Sequence, residues 1–222
     1  MTGSPRPHVV LSVAMSVDGC IDDTSDTRLV LSNAADLDEV DELRAGCDAI
    51  LVGAGTVRAD DPRLVLRSAA RRAARVARGE PGDPAKVTLT GGGGLAPTAR
   101  FFTVGEAAKL VYGTGPAVAE LRAELGGLAE VVGMAEPSPA AVLADLAGRG
   151  IRRLLVEGGS QVQAAFLAAD LVDELRLAIA PLLVGDPAAP RFAGATGRPR
   201  HFTLVATEQL DGVVVLHYRR AG

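Results

Sequence analysis

Apolar runs alternate with helix-periodic segments between residues 86 and 169, and this alternation limits the folds open to the chain. The runs lie at 86–90, 108–112, 129–133 and 152–157. Consecutive aliphatic residues leave no polar face for water, so these runs predict buried strands. The segments 116–126, 138–149 and 160–169 repeat apolar residues at spacings of three and four, which predicts helices. Strands joined through helices predict an α/β fold with a mostly parallel sheet covered on both faces.

The remaining runs extend this pattern toward both ends of the chain. We expect further strands at 8–15, 48–53, 173–179 and 213–219, and a further helix at 34–46. A long loop rich in Pro, Gly and Asp, with no helix in it, joins the last two strands, so we expect them to be antiparallel neighbours at one edge. No stretch has the character of a domain boundary, and we expect a single domain over residues 1–222.

A basic segment, "RSAARRAARVARGEPGDPA" at 67–85, interrupts the strand pattern. The arginines at 71, 72, 75 and 78 would largely share one face of a helix. This favours a solvated helical excursion over an anion-binding surface.

The charge and the cysteines exclude several classes of protein. A net charge of −4 argues against nucleic acid or an anionic membrane as the main partner. No apolar run approaches the roughly 18 residues of a membrane span, and the N-terminus does not resemble a signal peptide. Cys20 and Cys47 form no Cys-x-x-Cys pair, so neither a disulfide framework nor a metal site is expected. We expect a cytoplasmic protein.

Many of the 26 glycines directly follow apolar runs, as in "LVGAG" (51–55), "LTGGGG" (89–94) and "VEGG" (156–159). This placement predicts several strand ends that open onto one ligand-facing edge. In the second stretch, the backbone of Gly91 is a candidate contact for a flat or phosphorylated ligand, although a flexible loop explains that stretch equally well. The first stretch lacks the third glycine of the dinucleotide fingerprint, but Thr56 behind it remains a candidate for a phosphate or ribose contact.

The stretch "LLVEGGSQVQAAFL" (154–167) gives the strongest ligand signal. A buried strand passes through two glycines into a helix, so backbone N–H groups at the positive end of the helix dipole are open to an approaching ligand. Such a turn is a natural phosphate seat, although a turn that only redirects the chain is the alternative. Glu157 at the strand end needs a hydrogen-bond partner, which a substrate hydroxyl, a substrate amide or a protein N–H could supply.

Other titratable residues give weaker signals. Asp18-Gly19 is typical of a plain turn rather than of an active-site acid. Asp60 and Asp61 form a possible carboxylate pair, although aspartate before proline is common in turns. His217, in an apolar strand, favours a structural role over that of a base.

Four blocks in this order resemble the reductase domain of bacterial and archaeal riboflavin biosynthesis, the RibD C-terminal family. They are "AMSVDGCI" (14–21), "LRAGCDAILVGAGTVRADDPRLVLR" (43–67), "VEGGSQVQAAFLAADLVDELRL" (156–177) and "APLLVGD" (180–186). The resemblance implies a three-layer fold like that of dihydrofolate reductase. The zinc deaminase half of the bifunctional members is absent, so the resemblance is to a stand-alone reductase.

The resemblance also implies a reaction and a set of contacts. The reaction reduces the ribosyl group of 5-amino-6-(5-phosphoribosylamino)uracil to a ribityl group with NADPH, or with NADH in some members. The implied coenzyme contacts are Ala14, Thr56, Asp60, Gly158, Gly159, Ser160, Gln161, Val162, Gln163, Ala164 and Ala165. The implied substrate contacts are Thr27, Arg44, Leu64, Arg67 and Glu157. We hypothesise that an arginine clamps the substrate phosphate, that Glu157 hydrogen-bonds the substrate, and that Asp60 steadies developing positive charge or passes a proton.

Two alternatives stay open. One is a reductase of the same fold that acts on dihydrofolate or another substrate, because a fold does not dictate a substrate. The other is a nucleotide-binding protein without catalysis. The family also implies a homodimer, which we expect to form through the strand-rich C-terminal region.

Overall fold

The computed structural model of the chain describes residues 6–25, 27, 29–193 and 197–221. Its strands are β1 (His8–Ser16), β2 (Ala49–Gly53), β3 (Ala85–Thr90), β4 (Lys109–Thr114), β5 (Glu130–Met134), β6 (Arg153–Gly158), β7 (Glu174–Ala180), β8 (Phe202–Leu210) and β9 (Val213–Arg220). Its helices are α1 (Ala34–Ala45), α2 (Ala54–Asp60), α3 (Ala69–Ala77), α4 (Arg100–Thr103), α5 (Ala117–Leu125), α6 (Pro139–Gly148) and α7 (Ser160–Ala168).

The chain folds into two compact units, one formed by residues 6–7 and 41–155, the other by 8–40 and 156–221. In the first unit the strand order is β5-β4-β3-β2, and all neighbours are parallel. The core of this unit is aliphatic, and Ile50, Leu51, Val87 and Val111 are completely buried. Because parallel strands end at one edge, the segments after β2, β3 and β4 leave from the same side of this unit.

In the second unit the strand order is β6-β1-β7-β9-β8. Strands β1 and β7 are parallel, with Ala14 opposite Ala178. Strands β7 and β9 are antiparallel, as are β9 and β8. The predicted α/β class, the mostly parallel sheet and the antiparallel C-terminal strands are therefore confirmed.

Two expectations about local structure are wrong. The long connection after β7 contains a strand, β8, which forms the edge next to β9. The basic segment does form a helix, α3, but it is not uniformly solvated, because Arg75 is only 2% exposed. Its Nη1 donates to the carbonyl oxygens of Ala45 (2.9 Å) and Cys47 (2.7 Å) and so caps the end of α1.

Among the described residues, no helix is both long and apolar enough to cross a membrane. The expectation of a single domain over 1–222 stays a prediction.

Candidate active site

The turn between β6 and α7 has a backbone that only glycine adopts easily. Gly159 has φ 93° and ψ 108°, a region in which a side chain would be strained. Helix α7 begins immediately afterwards at Ser160, and the N–H of Gln163 donates to the carbonyl oxygen of Gly159 at 3.0 Å. The predicted strand–glycine–helix arrangement is therefore present.

The amino end of α7 has the electrostatics of an anion site. The first N–H groups of any helix lack intrahelical acceptors, and no side chain of the described residues caps this one. Gln161 is exposed and Ser160 half-buried, so solvent reaches the first turn. The helix dipole adds a partial positive charge at the same end. A diphosphate group fits this arrangement of backbone donors.

The deeper residues of the same turn are held by the protein. Val162 and Gln163 are buried, and Nε2 of Gln163 lies 3.5 Å from the carbonyl oxygen of Glu157. Glu157 itself is half-buried at the end of β6, as are Gly158 and Gly159. Further along α7, Ala164 is half-buried and Ala165 is exposed. Any ligand at this turn therefore meets the backbone of Gly158 to Gln161 before it meets the side chain of Gln163.

Two other predicted contacts belong to this unit. Ala14 on β1 is half-buried and packs against the apolar cluster of Ala178, Val213 and Val215. Thr27 is exposed, and its backbone carbonyl accepts a hydrogen bond from the Ser25 hydroxyl at 2.8 Å.

Asp18 lies in a turn, as its sequence context predicted, and its carboxylate also anchors a distant loop. Its carboxylate accepts hydrogen bonds from the Ser16 hydroxyl (2.6 Å) and from the N–H groups of Val184 (3.1 Å) and Gly185 (2.8 Å). The Ser16 hydroxyl, followed by the two backbone donors, holds the pKa of Asp18 well below its ordinary value. Asp18 therefore joins the first and last blocks of the family resemblance.

In the other unit, Thr56 and Asp60 lie on the short helix α2, and both are half-buried. Asp61 follows with a left-handed backbone (φ 41°), and its Oδ1 accepts the N–H of Arg100 at 2.6 Å. Asp61 thus caps α4. A carboxylate pair of Asp60 and Asp61 stays a prediction.

Gly91 lies after β3 in a loop that is attached to its own unit. The carbonyl oxygen of Gly93 accepts hydrogen bonds from the Thr90 hydroxyl (3.2 Å) and from Nη1 of Arg58 (3.4 Å). Gly91 is exposed, and a Cβ built on it would meet nothing within 4 Å. The loop is therefore anchored at Gly93, with open space over Gly91.

Three predicted substrate contacts also lie in this unit. Arg44 is half-buried at the end of α1, and Arg67 is exposed just before α3. Leu64 has a positive φ of 47° and is only 3% exposed, so it offers a ligand little side-chain surface.

Sequence reasoning missed the groups that hold the backbone around Arg67. Asp41 accepts the N–H groups of Arg67 (2.6 Å) and Ser68 (3.1 Å), and Asp83 accepts the N–H of Leu66 at 2.8 Å. Both acids lie at least 15 residues from the segment they hold, and neither belongs to a local motif.

The model of the RibD C-terminal domain matches residues 7–216. The chain belongs to the RibD C-terminal domain family.

Relatives of this RibD-family chain carry reductase names. It is 40% identical over 187 residues to the 2,5-diamino-6-ribosylamino-4(3H)-pyrimidinone 5′-phosphate reductase of Archaeoglobus fulgidus, covering 83% of this chain and 85% of the relative. It is 40% identical over 184 residues to the reductase of the same name from Methanothermobacter thermautotrophicus, covering 81% and 80%. Membership of this reductase family implies a nicotinamide coenzyme.

A solved structure extends the likeness to the fold. A bifunctional deaminase/5-amino-6-(5-phosphoribosylamino)uracil reductase from Thermotoga maritima superposes with a TM-score of 0.80 at 28% identity. The match covers 97% of this chain and 57% of that protein, so this chain spans little more than half of its length. The predicted fold class is thereby confirmed.

Proposed function

We propose that this chain is a nicotinamide-dependent reductase that converts the ribosyl group of a phosphorylated aminopyrimidine to a ribityl group in riboflavin biosynthesis. The observation that carries the proposal is the amino end of α7, where Gly159 opens a turn and no described side chain caps the helix. The names of the relatives at 40% identity support the same reaction.

The coenzyme, when bound, supplies a hydride to the electrophilic carbon of the sugar. The backbone N–H groups of Ser160 and Gln161 bind its diphosphate, with Gly158 and Gly159 allowing close approach. Ala14 and Thr56 are further coenzyme contacts that we assign from the family resemblance, and Gly91 is one that we assign from the open space over its backbone.

Charged side chains orient the substrate and handle its proton. Arg67, aided by Arg44, binds the phosphate, since a guanidinium pairs with an anion through two hydrogen bonds. Glu157 and Thr27 hydrogen-bond the polar part of the substrate. Asp60 steadies positive charge or passes a proton during reduction.

Two candidate substrates differ in their pyrimidine ring. The uracil derivative follows from the family resemblance, whereas the relatives at 40% identity are named for the diaminopyrimidinone. The matches cover 85% and 80% of those relatives. Their named substrate, the diaminopyrimidinone, is therefore the second candidate for this chain. The two compounds differ in ring substituents and share the phosphorylated sugar.

One assay tests the proposal. The purified protein is mixed with NADPH or NADH and each pyrimidine in turn, and the loss of reduced-nicotinamide absorbance is followed. We expect oxidation that depends on one of these pyrimidines, with NADPH preferred. Oxidation with dihydrofolate alone would favour another reductase of this fold, and coenzyme binding without oxidation would favour a non-catalytic protein.

The expected homodimer and its site belong to the same proposal. Strand β8 is an edge strand on which Leu204 is 51% and Val205 is 55% exposed, and such edges are sites for association. We assign the dimer contact to this strand. Sedimentation should give a dimer, and Val205→Lys should shift the protein toward monomer.

A cytoplasmic location stays an expectation.

A further inference from the structure

The segment Leu64–Ser68 connects α2 to α3 without regular structure, yet its backbone is held at several points. Asp83 accepts the N–H of Leu66 at 2.8 Å, and Nη2 of Arg72 donates to the carbonyl oxygen of the same residue. Both polar groups of the Leu66 backbone therefore have protein partners.

Asp41 holds the next two residues. Its Oδ1 accepts the N–H of Arg67 at 2.6 Å and its Oδ2 accepts the N–H of Ser68 at 3.1 Å. The carboxylate is 1% exposed and also pairs with Nη1 of Arg71 at 3.1 Å. A buried carboxylate with two backbone donors and a guanidinium is a rigid anchor, because losing any partner would leave charge unsatisfied.

The carboxylate of Asp41 stays ionised in the folded protein. Burial opposes ionisation of Asp41, but the N–H groups of Arg67 and Ser68 and the Arg71 guanidinium outweigh it, so its pKa lies below the ordinary value. Asp41 is therefore an anion at neutral pH.

The side chain of Arg67 is exposed while its backbone is fixed. A binding residue on a fixed backbone loses less conformational freedom when it takes up its ligand, which strengthens binding. The exposed guanidinium of Arg67 suits a phosphate monoester, whose oxygens accept paired hydrogen bonds.

We propose that Asp41 is a positioning residue that fixes the backbone of Arg67 so that its guanidinium meets the phosphate of the substrate. This inference rests on the proposed function, which assigns that phosphate to Arg67. Asp41 itself contacts neither substrate nor coenzyme.

The test compares Asp41→Asn and Asp41→Ala with Glu42→Gln, a matched control. Glu42 is the adjacent acid, and it pairs with Nε of Arg71 at 2.6 Å without touching the backbone of Arg67. We expect both Asp41 variants to raise KM for the phosphorylated pyrimidine about tenfold, with kcat changed less than threefold. Glu42→Gln should behave as wild type. If Asp41→Ala does not fold, Asp41→Asn decides.

A double variant separates positioning from general stability. If Asp41 acts through Arg67, adding Asp41→Asn to Arg67→Ala should raise KM no further than Arg67→Ala alone. An equal effect of Asp41→Asn in both backgrounds, or an unchanged KM in the single variant, would overturn the proposal.

Binding of ribose 5-phosphate, measured by calorimetry, distinguishes this inference from the proposed function. Absence of pyrimidine reduction by the wild type would contradict the proposed function. Weaker binding of ribose 5-phosphate in Arg67→Ala and Asp41→Asn would still support the positioning role. The positioning role would be rejected if Asp41→Asn bound ribose 5-phosphate as tightly as the wild type does. It would also be rejected if the wild type did not bind ribose 5-phosphate at all.

Discussion

Arg176 on β7 donates from Nη2 to Oδ1 of Asp36 across 2.7 Å, and both side chains are almost completely buried. Arg176 also pairs with Glu39, whose other oxygen lies 3.3 Å from Nε2 of His217 on β9. Glu208 lies 3.4 Å from the same nitrogen. Arg176, Asp36 and Glu39 therefore form a cluster of opposite charges in the second unit, and the imidazole of His217 lies beside it.

Asp36→Ala should lower the free energy of unfolding by about 3–5 kcal/mol, because it leaves the buried Arg176 guanidinium without one of its two carboxylate partners. The double variant Asp36→Leu/Arg176→Met should cost less than Asp36→Ala, since it removes both charges of the most deeply buried pair. Urea denaturation of the three proteins measures both differences. Equal stability of Asp36→Ala and wild type would show that the pair contributes nothing.

Asp18→Asn should destabilise the protein at neutral pH and change how stability depends on acid. The folded pKa of Asp18 is lowered, chiefly by the Ser16 hydroxyl, so its contribution is present above the ordinary value of 3.8 and is lost as pH falls below it. The stability difference between wild type and Asp18→Asn should therefore shrink on acidification below about pH 4. Thermal denaturation at neutral and acid pH checks this, and a constant difference would contradict it.

Lys86 predicts a rise in stability at alkaline pH. Its side chain is completely buried, and Nζ donates to the carbonyl oxygens of Phe101 (3.1 Å) and Val104 (2.6 Å). Burial lowers its pKa from 10.5 to about 8. Between pH 8 and 10.5, Lys86 is protonated in the unfolded chain and neutral in the folded protein. The free energy of unfolding should therefore rise with pH over this range, by roughly 3 kcal/mol at most.

Lys86→Met is the matching control, because it removes the titration and keeps the bulk of the side chain. Its stability should be flat over the same alkaline range. Denaturant unfolding at several pH values compares the two proteins. A wild-type curve that falls or stays flat between pH 8 and 10 would contradict the proposed titration of Lys86.

Asp60→Asn should lower kcat far more than it changes the Kd of the coenzyme, since the amide keeps the size of the side chain and loses its charge and basicity. A fall of about 100-fold or more in kcat is expected for a group that takes part in proton transfer. Unchanged turnover would remove Asp60 from the chemistry. Asp61→Asn is the control, because Asp61 caps α4 through the N–H of Arg100.

Local patterns predicted most of the fold, and the exceptions have physical causes. Apolar runs located eight strands, namely β1 to β7 together with β9. They did so because a buried strand consists of consecutive aliphatic residues. Strand β8 was missed because "FTLVATEQL" is exposed along most of its length and shows no buried face. It pairs with β9 in a hairpin closed by the two-residue turn Asp211-Gly212, so this turn, rather than a burial pattern, was the local sequence signal for β8.

The site shows the same division. The turn at Gly159 was predictable because glycine chemistry is local, and the positive φ bears it out. The burial of Arg75 and the hydrogen bond from the Arg67 N–H to Asp41 were not predictable from local sequence. Each depends on a partner more than 25 residues away. Periodicity assigned α3 a solvated arginine face, whereas Arg75 finds carbonyl acceptors that make its burial favourable.

The most direct measurement is a titration of NADPH, followed by nicotinamide fluorescence, against wild type, Ser160→Asp and Ser160→Asn. A carboxylate in the first turn of α7 stabilises the helix dipole but repels a bound diphosphate, whereas the asparagine of nearly equal shape carries no charge. We expect Ser160→Asp to be at least as heat-stable as wild type and to bind NADPH at least tenfold more weakly than Ser160→Asn. Equal NADPH affinity of the two variants would contradict a diphosphate seat at this turn.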